Sequence, residues 1–195
     1  MHVYRKLVPA EIGPFREHLF RLSAGDRHCR FSGSISDDVV AAHCARIDWF
    51  RTVIVGCFID GTLRGAAELR LDDPRIGWRS ELAVTVEGPW QDQGHGTELL
   101  RRSVTVCRNR AIRSIYMVCL LENRRMQRIA RRFEGELLLA DGEAEAQIGL
   151  PFPDPFSLAR EALDEGAAWL LAWWEAPARF GARLQPVTDR PTPRP

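Results

Sequence analysis

The stretch from Glu81 to Phe133 constrains this chain most. Glu81 to Val86 alternates apolar residues in the manner of a strand, with Leu82, Val84 and Val86 on one face. Gly88 to Gly96 follows as a glycine-containing loop, Thr97 to Arg110 as a helix, and Ile112 to Leu121 as a continuous apolar strand central to a sheet. Glu122 to Phe133 is again helical, with Met126, Ile129 and Phe133 in phase. A strand that runs through a glycine loop into a helix, then into a buried strand, requires a sheet with helices packed on it.

The rest of the chain extends that layout. His2 to Leu7 reads as a strand and Glu11 to Leu22 as an amphipathic helix carrying Ile12, Phe15, Leu19 and Leu22. Ser23 to Gly33 is polar and reads as a loop, and Ser36-Asp37-Asp38 can cap a second helix that ends near Ile47. Arg51 to Ile59 and Thr62 to Leu71 form a hairpin about Asp60-Gly61, followed by a turn over Asp72 to Gly77. Gly135 to Ala140 and Ala144 to Leu150 form a second hairpin about Asp141-Gly142. Pro151, Pro153 and Pro155 interrupt the chain before a last helix from about Phe156 to Trp174, whose tryptophans suit packing onto the sheet or a homodimer contact. Residues 1–150 are expected to be one domain, 151–184 a helical extension and 185–195 a disordered tail. The fold class is α/β, a mixed sheet flanked by helices.

Charge and cysteines remove several functions. With 27 basic and 26 acidic residues the formal charge is +1, which is no polycation. The arginine cluster lacks the interleaved aromatics of a single-strand binder, so nucleic acid is not the expected partner. Cys29, Cys44, Cys57, Cys107 and Cys119 are odd in number and contain no CxxC pair. Neither a disulfide framework nor a structural zinc site is expected, and reduced thiols suit the cytoplasm. Met1 to Ala10 has no apolar leader core, and the eight apolar residues from Ala167 to Trp174 fall short of the roughly 20 that cross a bilayer. No membrane partner is expected.

Within the loop, Gln91-Asp92-Gln93-Gly94-His95-Gly96 precedes the helix starting near Thr97. The two glycines let backbone approach a ligand, and free N–H groups with the positive helix end make a cradle for an anion such as a pyrophosphate. A P-loop is excluded because no lysine is present in this loop. The dinucleotide fingerprint would need Gly or Ala at Leu99 and an acid about 20 residues later on the next strand, and neither is found.

What remains is Gln/Arg-x-x-Gly-x-Gly/Ala. Together with the strand Ile112 to Leu121 and Asn123-x-x-Met126-x-x-Ile129-Ala130, it resembles the GCN5-related N-acetyltransferases, the GNAT superfamily. Leu22 to Phe31 and Glu81 to Val86 look most like its bacterial protein-lysine acetyltransferase branch. The resemblance implies direct transfer of an acetyl group from acetyl-CoA to an amine acceptor, a protein lysine or a small amine. It implies Glu81 as general base, with Glu68 on the neighbouring strand in reserve and a solvated strand-end carboxylate as the plain alternative. It implies backbone donors at Val84, Thr85 and Val86 for the pantetheine arm and the oxyanion, and a pyrophosphate cradle over Gln91, Asp92, Gln93, Gly94, His95, Gly96 and Thr97. The His95 side chain is expected to point outward. Asn123 is expected to contact pantetheine, to cap the following helix, or both. Many family members protonate the leaving thiolate with a tyrosine where this chain has Ala130, and Tyr116 lies on a strand. That departure keeps open a catalytically silent acyl-CoA sensor.

The charge balance also hides opposed segments. From Arg101 to Arg132 there are ten arginines and one acid, and from Asp141 to Glu175 eight acids and one arginine. The basic segment is expected beside the anionic cofactor, and the acidic one, through Glu143 and Glu145, near the acceptor entrance.

Overall fold

The computed structural model describes residues 1–33, 35–72, 78–140 and 143–181, with side chains described up to residue 170 in the last segment. The second hairpin turn, most of the 72–77 turn and the expected disordered tail lie outside the described residues.

Seven strands form one sheet in the order β1-β2-β3-β4-β5-β7-β6. They are β1 (His2–Lys6), β2 (Thr52–Ile59), β3 (Thr62–Leu71), β4 (Arg79–Val86), β5 (Ser114–Leu120), β6 (Glu136–Ala140) and β7 (Glu143–Gly149). All neighbours are antiparallel except β4 and β5. The β2–β3 turn follows the Asp-Gly pattern, with φ of 46° at Asp60 and 73° at Gly61, the left-handed pair that matches strand twist.

Among the described residues, six α-helices cover the sheet: α1 (Ile12–Arg21), α2 (Ala24–Phe31), α3 (Asp37–Ala45), α4 (His95–Asn109), α5 (Arg124–Arg132) and α6 (Pro155–Gly181). One core lies under α4 and α5, where Leu99, Leu100 and Val106 meet Leu69, Leu82, Ile115 and Met117. The opposite core joins Phe15, Leu19 and Val40 to Ile54, Phe58 and Leu63. α6 packs beside β1 and α4, and none of the described helices is long and apolar enough to cross a membrane.

Two differences from the sequence reading stand out. The polar segment 23–33 is a helix, capped by Ser23, whose hydroxyl accepts from the Asp26 N–H at 3.1 Å. Its residues lack a buried stripe, so apolar periodicity could not reveal it. Arg27 holds it by donating to the Leu19 and Phe20 carbonyls, and Arg30 by pairing with Glu68 at 2.7 Å. Several acids after residue 141 also form ion pairs that the sequence reading did not foresee. Asp154 pairs with Arg108 and Asp164 with Arg101 and Arg102, all on α4, Glu161 with Arg110 just after it, while Glu145 meets Arg79.

Candidate active site

β4 is paired with β3 along its length, up to Gly65↔Val86. On its other side, pairing with β5 stops at Glu81↔Tyr116, while β5 continues along β7 to Leu120. From Leu82 onward, β4 therefore turns a backbone edge toward a gap. A cleft of about 560 Å³ fills that gap, bounded by Val84, Thr85 and Val86, the loop before α4, α5, and α2.

Gln91 ties the walls together. Its amide nitrogen donates to Asp26 on α2 at 2.9 Å and to the Val86 carbonyl at 2.8 Å, and its oxygen accepts from Arg125 on α5 at 2.6 Å. The two glycines have different jobs. Gly94 sits at φ 88°, where an L side chain is strained, and turns the chain into α4 with no side-chain cap over its first amides. A Cβ on Gly96 would stand 3.1 Å from Ile129 Cδ1, so this glycine lets α4 approach α5. Asn123 caps α5, its oxygen accepting from the Met126 N–H at 3.1 Å, and it also lines the cleft. Arg124, Arg125, Arg128 and Arg132 project from α5 toward the same space, and Asp92 pairs with Arg125 at 3.1 Å. Uncapped amides at a helix N-terminus, with guanidinium groups alongside, suit a polyanion.

Of the residues singled out in the sequence, Val84, Thr85, Val86, Gln91, Asp92, Gly94, Gly96, Thr97 and Asn123 border the cleft. Gln93 does not, its side chain donating instead to the Pro89 carbonyl. His95 corrects the expectation of an outward side chain. It is buried, with Nδ1 2.6 Å from the Tyr4 hydroxyl, because α4 begins two residues earlier than expected and turns this position toward the sheet.

The two carboxylates lie apart from the cleft lining. Glu81 is joined to Arg70 across the β3–β4 pair. Glu68 accepts from Arg30 and from His43 at 2.9 Å. Burial pushes its carboxyl upward, but the His43 hydrogen bond and the Arg30 charge hold it below the usual range. It faces a separate hollow of about 610 Å³ with Arg46, Arg51 and Arg70. Cys29 does line the cleft, and burial together with the charges of Asp26 and Glu122 raises its thiol pKa, which makes it a poor nucleophile.

The sequence reading missed one cluster. His18, wholly buried on α1, places Nε2 2.9 Å from Thr85 Oγ1 and Nδ1 3.1 Å from Glu87 Oε1. Glu87, just beyond β4, also accepts from Arg21 and Arg64, each at 2.9 Å. The signal available was that His18 falls in phase with Phe15 and Leu22, on the apolar face of its helix.

Residues 26–134 match the model of the acetyltransferase (GNAT) family. Among curated protein sequences nothing matches. Solved structures share the fold. The GNAT domain of S. lividans PAT is 18% identical with a TM-score of 0.64, covering 75% of this chain and 89% of that one. The yncA protein of Salmonella typhimurium, solved with its cofactor acetyl-CoA, is 16% identical with a TM-score of 0.60, covering 80% and 99%. The ribosomal-protein-S18-alanine N-acetyltransferase of Escherichia coli is 12% identical with a TM-score of 0.59, covering 80% and 97%.

Proposed function

The chain belongs to the acetyltransferase (GNAT) family, and on that premise we propose that it transfers the acetyl group of acetyl-CoA directly to an amine, a protein lysine before a small amine. The observation that carries this reading is the parting of β4 from β5 beside the uncapped start of α4. The open edge at Val84 to Val86 can pair with the amides of a pantetheine arm and present a backbone N–H to the thioester oxygen as it gains charge. The first amides of α4 and the α5 arginines suit the pyrophosphate and 3′-phosphate. The resemblance of Leu22 to Phe31 and Glu81 to Val86 to the protein-lysine branch supports the lysine acceptor, and five free thiols fit a cytoplasmic setting.

An ammonium must lose a proton before it can attack. Glu81 is the proposed acceptor of that proton. It lies on the same face of β4 as Thr85, about 13 Å away at ~3.3 Å per residue, so the proton reaches it through water. Glu81→Gln should lower kcat/KM near neutral pH and recover part of the loss as pH rises and the amine deprotonates unaided. Wild-type turnover at every pH would remove Glu81 from this role. The whole reading is tested by coenzyme A release from acetyl-CoA over a panel of polylysine, peptide amines and spermidine, with calorimetric titration of acetyl-CoA alongside. Tight binding with no release on any amine would identify a sensor instead.

A further inference from the structure

Two protons leave the amine nitrogen during acetyl transfer. The first leaves before attack. The second leaves after the C–N bond forms, as the C–S bond breaks, and the coenzyme A thiolate must gain one. In this chain Ala130 is buried, and neither it nor Tyr116 lines the cleft. Thr85 borders the cleft and carries a hydroxyl.

The hydrogen bonds around it admit one assignment of protons. Glu87 is ionised, since its hydrogen bonds with His18, Arg64 and Arg21 outweigh burial and hold its carboxyl below the usual range. A carboxylate only accepts, so His18 Nδ1 carries the hydrogen that points to Glu87. Nε2 is then bare and accepts from the Thr85 hydroxyl at 2.9 Å, the alternative acceptor, the Ala66 carbonyl, being 3.4 Å away. Burial, aided by the charges of Arg21 and Arg64, keeps His18 below its ordinary pKa, so the imidazole is neutral at rest.

We infer that Thr85, His18 and Glu87 form a proton shuttle that moves the second amine proton to the leaving sulfur. The inference rests on the acetyl-transfer reading. As the new amide forms, its nitrogen gives a proton to Thr85 Oγ1 while the hydroxyl's own proton passes to His18 Nε2. The C–S electron pair leaves on sulfur. The imidazolium then returns its proton through Thr85 to that thiolate, and the enzyme ends as it began. Glu87 orients the ring and steadies the transient cation, with Arg21 and Arg64 fixing the carboxylate. Thr85 is the catalytic residue here, and His18 and Glu87 are positioning residues that act through it.

The test compares Thr85→Val, which keeps shape and removes the hydroxyl, with Thr85→Ser, which keeps the hydroxyl, in the coenzyme A release assay. Thr85→Val should lower kcat by about 100-fold or more with KM for acetyl-CoA within about twofold, and Thr85→Ser should return to within about tenfold of wild type. Imidazole 15N shifts of the wild-type protein should show His18 protonated at Nδ1 and bare at Nε2. An active wild type beside an equally active Thr85→Val, or a proton on Nε2, overturns the shuttle alone. A wild type that releases no coenzyme A with any amine overturns the acetyl-transfer reading and the shuttle with it.

Discussion

At the residue scale, Glu87 is a buried carboxylate on which three side chains converge. Its side chain is 5% exposed, and it neutralises two arginines while holding His18. Replacing it with glutamine removes the buried charge that Arg21 and Arg64 share, and should destabilise the fold by about 2 kcal/mol in chemical denaturation. The pH dependence follows from the same contacts. The folded-state pKa of Glu87 is depressed below 4.5, so its contribution is full above that value and is lost as pH falls through the folded pKa. The pKa of His18 is depressed below 6.5, so the unfolded chain takes up a proton there first and stability begins to fall below that pH. Melting temperature should therefore decline in two stages on acidification, and Glu87→Gln should flatten the lower one. Asn123 permits a cleaner separation of roles. Asn123→Ser keeps a cap and should hold stability, whereas Asn123→Ala should lose about 1 kcal/mol. A loss of acetyl-CoA affinity in the serine variant, read by calorimetry, would show that the Asn side chain also serves the ligand.

At the element scale, the loop into α4 depends on two glycines that fail in different ways when altered. Gly94→Ala should cost about 1 kcal/mol or more because φ is 88° with open space around it, and the distorted turn should weaken acetyl-CoA binding. Gly96→Ala pushes on the tip of Ile129 and should shift α5 against α4. Its loss should appear in melting temperature and, because both residues border the cleft, in acetyl-CoA affinity as well. The periodic elements were legible in the sequence because one buried face imposes a repeat. α2 was not legible, because it is held by arginines that reach neighbouring carbonyls and Glu68. α5 was legible for Met126 and Ile129, and its arginines were expected beside the cofactor as part of a basic segment, but which of them face the cleft was not legible.

At the scale of the whole molecule, the +1 charge resolves into two separate arrangements. The α4 arginines meet the acids of α6 and its lead-in, and the α5 arginines are left facing the cleft. Acetyl-CoA affinity should thus fall as salt rises, and Arg128→Ala with Arg132→Ala should flatten that dependence without shifting the melting temperature much, since Arg128 is two-thirds exposed. By itself the sequence determined the order of the strands and of every helix but α2, the family motif and the glycine loop, all of which are local: periodicity, turn chemistry and spacing act between near neighbours. Only the tertiary structure decided which groups share a space. It set Glu81 beside Arg70 and apart from the cleft, turned His95 toward Tyr4, and gathered His18, Thr85 and Glu87 from α1 and the end of β4. Those outcomes depend on strand register and on which face of a helix meets the sheet, and a hydrogen bond of about 3 Å between residues nearly 70 positions apart leaves no period in the chain for a reader to find.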